Sequence, residues 1–136
     1  MLAFLTSVGE STEQVCKSQL EKFGFEVILL NEKELWIDKY KKFLNMAKEN
    51  CIRIDADIIP NKHIKIFQNL QNVFLAKAHV YDLYRNEVWQ LSPVYYSKEI
   101  LEIIKNATLK SLITDELRPE TSLWRSFQKS TIVLSQ

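Results

Sequence analysis

Phe23-Gly24-Phe25-Glu26-Val27-Ile28-Leu29-Leu30 sets a glycine between the end of one periodic segment and the start of a short apolar run. Glycine adopts positive φ without the penalty a Cβ would bring, so Gly24 reads as the residue just past a helix C-terminus. Upstream, Val15, Cys16, Leu20 and Phe23 fall at helical spacing, and Ser11 with Gln14 has the form of a capping box. Before that, residues 2–8 form another short apolar run that ends in the turn Ser7-Val8-Gly9. Strand, helix and strand in this order predict a parallel pair joined by a right-handed crossover.

The unit repeats downstream. Trp36, Tyr40, Phe43, Leu44 and Ala47 line one side of a predicted helix, while Asp38, Lys39, Lys41, Lys42 and Lys48 fall largely elsewhere. Residues 51–55 read as a third strand, expected in one sheet beside 2–8 and 25–30. Pro60 suits the first turn of a helix carrying Ile64, Phe67 and Leu70 or Gln71. A fourth strand is expected over 73–80 and a shorter one over 87–91. Ser97 caps a helix bearing Ile100, Leu101, Ile103 and Ile104, and Pro119 opens a last helix with Leu123, Trp124 and Phe127. A terminal strand is expected at 131–134. No linker, low-complexity tract or repeat interrupts the pattern, so one domain over 1–136 is expected. Its fold class is α/β, a three-layer α/β/α sandwich around a mostly parallel, mixed sheet.

Composition narrows the functions. Of 136 residues, 46% are hydrophobic, which is enough for a packed core. Eighteen Lys plus Arg against 17 Asp plus Glu leave a charge of +1, so nothing draws the whole chain to nucleic acid. No apolar run approaches the roughly 20 residues that span a bilayer, so no transmembrane segment is expected. The first residues lack a basic stretch and are short for a signal peptide, and Cys16 and Cys51 suit reduced, buried thiols. Together these predict a cytoplasmic protein.

The chemistry concentrates in Ile52-Arg53-Ile54-Asp55-Ala56-Asp57-Ile58-Ile59-Pro60-Asn61. An apolar strand delivers two carboxylates spaced i, i+2 just before a helix start. In extended backbone that spacing points both to one side, about 6.6 Å apart along the chain. In open α/β sheets ligands bind beyond the carboxyl ends of the strands. Two acids there repel unless a cation or donors neutralise them, and a hard divalent ion also binds phosphate oxygens. The pair equally suits a solvated loop or a helix cap. Its place after the third strand of an alternating series favours a metal-bridged diphosphate.

This order of elements, with Ile54-Asp55-Ala56-Asp57 closing a central strand, resembles the nucleotide-sugar-dependent glycosyltransferases of the GT-A fold over most of residues 1–128. The resemblance implies a nucleotide-diphosphate sugar donor and a divalent ion, Mn2+ or Mg2+. It implies Asp57 as metal ligand, with Asp55 nearer the ribose or sharing the metal. Thr6, Ser7, Val8 and Gly9 match the family's nucleotide-facing loop, and Asn31 or Glu32 the place of a base contact. Arg118-Pro119-Glu120-Thr121 resembles the segment that carries the acceptor's general base, which implies Glu120, with Asp115 second. A helix N-terminus would help keep such a carboxylate ionised, though acids also favour first turns without catalysis. Members are usually longer, with a C-terminal portion that shapes the acceptor site. A chain of this length implies a minimal enzyme, a homo-oligomer or a non-catalytic subunit.

Other residues read more simply. His63, beside Lys62 and Lys65, is expected exposed, and His79 packed within its strand. Cys16 and Cys51 do not suit a catalytic thiol. Arg53 suits a salt bridge to Asp55 or a phosphate contact. Lys39-Tyr40-Lys41-Lys42 has the spacing of a solvated helix face, and Trp36, Trp89 and Trp124 read as core. A haloacid-dehalogenase-like phosphatase, with Asp55 as nucleophile and Asp57 as acid/base, ranks below glycosyl transfer. That family wants Thr or Val two residues beyond the pair on the first strand, and here Ile59 follows the third. A nucleotide-binding or assembly subunit without turnover is the non-enzymatic alternative.

Overall fold

The structure is a computed structural model that describes residues 1–82, 85–106 and 131–134. Among the described residues six strands form one sheet: β1 (Leu2–Thr6), β2 (Glu26–Leu30), β3 (Cys51–Asp55), β4 (Leu75–Asp82), β5 (Glu87–Tyr96) and β6 (Thr131–Leu134). Three α-helices among the described residues accompany them, α1 (Glu13–Lys22), α2 (Trp36–Met46) and α3 (Lys98–Asn106), with a 3₁₀ helix at Lys62–Asn69. The strand order is β2-β1-β3-β5-β4-β6. β1 pairs in parallel with both β2 and β3, β5 runs antiparallel to β3 and β4, and β6 is parallel to β4. The sheet is therefore mixed and mostly parallel, with the first three strands side by side as expected.

Alternation along the strands creates two cores. Ala3, Leu5, Ile52 and Ile54 face Cys16 and Leu20 of α1 and Ile64 and Phe67 of the 3₁₀ helix. Phe4 and Cys51 face Tyr40, Phe43 and Leu44 of α2 and Ile100, Leu101 and Ile104 of α3. Phe43 packs edge-on to Phe4, ring centroids 5.0 Å apart, and the buried Tyr40 and Tyr96 hydroxyls hydrogen-bond at 2.7 Å. The result is a helix–sheet–helix sandwich. Both cysteines are buried free thiols, pushed up to about 12 by burial, with Asp57 and Asp55 adding to the effect at Cys16.

The two crossovers determine where a ligand fits. α1, between β1 and β2, lies on one face, and α2, between β2 and β3, lies on the other. From β1 the chain steps outward to β2, then returns past β1 to β3. The strand order thus reverses between β1 and β3, the point at which open α/β sheets form a ligand crevice outside the carboxyl ends of their strands.

Several local expectations are corrected. The Ser11–Gln14 capping box does not form, because Thr12 is the N-cap of α1 and its hydroxyl donates instead to the Ala56 carbonyl at 2.6 Å. Pro60 precedes its helix rather than opening it. Asn61 caps that segment, its side-chain oxygen accepting the His63 N–H at 2.9 Å, and 3₁₀ winding stacks Ile64 under Phe67. β1 stops at Thr6, short of the expected 2–8. β4 runs two residues later than 73–80, and β5 extends beyond 91 through a cis Ser92–Pro93 bond. Pairing extends β5, since Val94, Tyr95 and Tyr96 bond to β3 on one side and β4 on the other. The helix expected from Pro119 lies outside the described residues.

Gly24 behaves as its position demands. Its φ is +89°, its N–H donates to the Glu21 carbonyl at 3.0 Å, and the Phe25 N–H donates to Leu20 at 3.0 Å. This Schellman closure satisfies the last carbonyls of α1 and turns Phe25 into the core beside Leu20. An added Cβ would meet only the Gln68 amide at 3.6 Å, so sterics alone permit it and the backbone strain remains. Gly24→Ala is expected to destabilise the fold by about 1–2 kcal/mol, read from urea denaturation midpoints at unchanged slope.

Candidate functional site

The carboxyl ends of β1 and β3 are tied together by one polar cluster. Residues 53 and 55 share a face of β3, so the Arg53 guanidinium runs up the strand to Asp55. Its Nη1 donates to Asp55 Oδ1 at 2.6 Å and to Thr6 Oγ1 of β1 at 2.8 Å. The Thr6 hydroxyl donates to the same Oδ1 at 2.8 Å, and the Asp55 N–H donates to the buried Ser92 hydroxyl at 3.0 Å. The Trp36 ring, at the start of α2, covers the guanidinium 5.0 Å from its centroid. Burial pushes the Asp55 carboxyl up. The Arg53 charge and hydrogen bonds from Arg53, Thr6 and Ser92 outweigh it and hold the group below its ordinary range.

Asp57 is placed differently. Inside an extended strand it would share a side with Asp55, but β3 ends at Asp55 and Asp57 lies in the turn beyond, exposed. The i, i+2 neighbour that the strand does supply to Asp55 is Arg53. Partial burial and the nearby Asp55 and Glu10 carboxylates raise the Asp57 carboxyl. The turn is fixed by Ala56 N–H to the Thr6 carbonyl at 2.9 Å and Ile58 N–H to the Asp55 carbonyl at 3.1 Å. Among the described residues, no three His, Cys, Asp or Glu side chains gather closely enough to hold a metal. The donor set instead fits a hard ion that takes one or two carboxylates and completes its shell with phosphate oxygens and water.

The loop from Ser7 to Thr12 forms the crevice's other lip. Gly9 takes φ +94° and its N–H donates to Ser7 Oγ at 3.0 Å, with open space where a Cβ would stand. Glu10 accepts from the Ser7 hydroxyl at 2.7 Å and the Val8 N–H at 2.8 Å. Burial raises its carboxyl, but these bonds hold it lower than usual. Beneath the loop, Lys39 of α2 is 1% exposed and its ammonium donates to the Ser7 carbonyl at 2.6 Å. This corrects the placing of Lys39 on the solvated side. It stands three residues after Trp36 and four before Phe43, spacing that brings it onto the helix's inner face.

At the end of β2, Asn31 is exposed and Glu32 pairs with Lys42, which also binds Glu34 at 3.0 Å. The Lys42 hydrogen bond holds the Glu32 carboxyl below its ordinary range. Thr6, Ser7, Val8, Gly9, Asp55 and Asp57 are thus brought to one crevice, with Asn31 and Glu32 at the end of β2. Glu120 and Asp115 lie outside the described residues, as do the side chains of His79 and Trp89. His63 is exposed, as expected. Lys39, Glu10 and Ser92 were missed. Helical spacing could have found Lys39, whereas no local pattern marks Ser92. The phosphatase alternative needs a nucleophilic Asp55, whose Oδ1 already receives Arg53 and Thr6.

Raised in the folded state, the Asp57 carboxyl opposes folding once ionised: stability falls as pH rises from its unfolded pKa through the higher folded one. Asp57→Asn is therefore expected to raise the melting temperature at pH 7. The gain should vanish as the pH drops below the usual aspartate range, which thermal melts across pH will show.

No family model and no curated protein matches the chain. Solved structures do. A197 from STIV aligns with a TM-score of 0.66 at 16% identity, over 98% of this chain and 81% of that one. The 4-diphosphocytidyl-2C-methyl-D-erythritol synthase of Anaerococcus prevotii aligns at 0.58 and 10% identity, over 98% and 88%. The glycosyltransferase GlyE of Streptococcus pneumoniae aligns at 0.52 and 14% identity, over 96% of this chain and 37% of that one. At such identities the likeness is one of fold, and the chain has the fold of the nucleotide-diphospho-sugar transferases.

Proposed function

We propose that the chain transfers a glycosyl group from a nucleotide-diphosphate sugar to an acceptor hydroxyl. The observation that carries this reading is the meeting of Thr6, Asp55 and the Asp57 turn at the strand-order reversal between β1 and β3. Thr6, Ser7, Val8 and Gly9 face the nucleotide, and Asn31 or Glu32 meets the base. Asp55, ionised and held, accepts hydrogen bonds from the ribose. Asp57 is the residue that holds Mn2+ or Mg2+, supported by its exposure and by the repulsion from Asp55 and Glu10 that a cation relieves. Bound there, the ion would neutralise charge on the departing diphosphate. Glu120 takes the proton of the acceptor hydroxyl as that oxygen attacks the anomeric carbon, with Asp115 the second candidate.

Nucleotidyl transfer is the second reading, favoured by the synthase neighbour, which this chain covers nearly end to end. The two differ in what leaves: a nucleoside diphosphate in glycosyl transfer, pyrophosphate in nucleotidyl transfer. Among the described residues the β1–α1 loop carries Glu10 and no Lys or Arg, which suits a metal-borne diphosphate better than a bare triphosphate.

Product release assays with sugar nucleotides and a panel of acceptors test the proposal. Glu120→Gln is expected to keep nucleotide affinity and lose roughly 10²–10⁴ in transfer rate, the usual range for removing a general base. Asp57→Asn should weaken manganese-dependent nucleotide binding as well as turnover. Unchanged transfer in Glu120→Gln would move the base to Asp115 or remove it from the mechanism. Tight nucleotide binding without any transfer would favour the non-catalytic subunit.

A further inference from the structure

We infer that the cavity at the amino ends of β3 and β4 binds a neutral polyhydroxylated ligand, a sugar, through the Tyr95 hydroxyl and the amides of Asn50, Gln71 and Asn72. Neither reading of the proposed function uses these residues, and the inference stands apart from both. The cavity has a volume of about 410 Å³, within the range of small-molecule pockets, and lies at the opposite end of the sheet from Asp55. Tyr95 lines it, 1% exposed, with its ring stacked on Phe67, centroids 6.3 Å and planes 11° apart. Its hydroxyl meets no hydrogen-bond partner among the described residues. Tyr96 beside it shows the usual arrangement, its buried hydroxyl bonded to Tyr40 at 2.7 Å. A buried hydroxyl without a partner costs stability, so Tyr95 is fitted to a partner that the chain does not supply. Burial raises the Tyr95 phenol and the Glu99 charge adds to the rise, which sets the hydroxyl toward the wall that Glu99 lines.

The lining decides the ligand's chemistry. Asn50, Gln71 and Asn72 bring carboxamides, and Asn50 commits only its oxygen, which accepts the Lys98 N–H at 2.8 Å. Its amide nitrogen is left to donate, near a Glu99 carboxylate that accepts. Carboxamides and carboxylates present paired polar atoms in one plane, a match for the adjacent hydroxyls of a sugar. Phe74, 48% exposed, adds an apolar face for the C–H groups of the sugar ring. No Lys or Arg stands among the described residues that line the cavity. The start of α3 is already capped, with its Ile100 N–H donating to Ser97 Oγ at 3.2 Å. An anionic ligand would therefore meet Glu99 with no cation to offset it.

Backbone amide shift mapping tests this, with free glucose, galactose, mannose and N-acetylglucosamine as the probes. At least one of them is expected to shift the amides of Asn50, residues 71–74 and Tyr95 to Glu99, leaving Asp55 to Asp57 unmoved. Tyr95→Phe keeps the ring on Phe67 and removes only the hydroxyl. It should weaken sugar binding about tenfold, the scale of one hydrogen bond, with an unchanged or higher melting temperature. Glu99→Gln, at an exposed position, should weaken sugar binding severalfold with the melting temperature unchanged. Equal sugar affinity in wild type and Tyr95→Phe would overturn the inference. So would a lower melting temperature of Tyr95→Phe without ligand, since the hydroxyl would then have a partner within the chain. If none of the four sugars moves those amides, the inference fails, and shifts there with putrescine or inorganic phosphate instead would assign the cavity to a charged ligand.

Discussion

Arg53 and Asp55 share one face of β3, and their ion pair reaches across to Thr6 at the end of β1. Much at the crevice follows from that bridge. It closes the carboxyl ends of two parallel strands at the point where the strand order reverses, so the backbone on both lips is fixed before any ligand arrives. Because the guanidinium is buried under Trp36, either partner without the other would leave a desolvated charge. The pair thus couples the packing of α2 against the sheet to the shape of the crevice.

The two sides of the crevice carry opposite charge. On the α2 side, Lys39 and Arg53 are nearly inaccessible, one anchored to the Ser7 carbonyl and the other to Asp55. On the α1 side, Glu10 and Asp55 lie near enough to Asp57 to help raise its carboxyl. A ligand with an anionic group and an associated cation would match both sides at once. Lys39 also holds the Ser7 loop from below, so the loop's open space at Gly9 rests on a rigid floor. Rigid support beneath an exposed loop is how a fold fixes contact geometry without burying the contact.

Much of this was legible in the sequence. Gly24, the apolar runs and the helical spacing of Cys16 and Leu20 led to the parallel opening, because each local preference agreed with the burial it served. The third strand, expected over 51–55, has those bounds in the structure. The limits have physical causes. Extended geometry would place Asp55 and Asp57 on one side, but the strand ends between them, and only pairing shows where a strand stops. The same geometry applied one step earlier gives Arg53 and Asp55. β5 extends past Ser92–Pro93 because β3 and β4 flank it, a non-local fact that a local pattern containing proline argues against. Ser92 reaches Asp55 across 37 residues of chain, and no spacing encodes that contact.

The central claim is that nucleoside diphosphate binds at the carboxyl ends of β1 and β3. Amide shift mapping by heteronuclear nuclear magnetic resonance, with manganese replaced by magnesium, tests it most directly. The account predicts shifts concentrated at Thr6 to Gly9, Asn31 and Glu32, and Asp55 to Asp57. At the other end of the sheet lies a cavity of about 410 Å³ lined by residues that include Asn50, Phe74, Tyr95 and Ser97. Shifts centred on those residues, with the Asp55–Asp57 amides unmoved, would contradict the account.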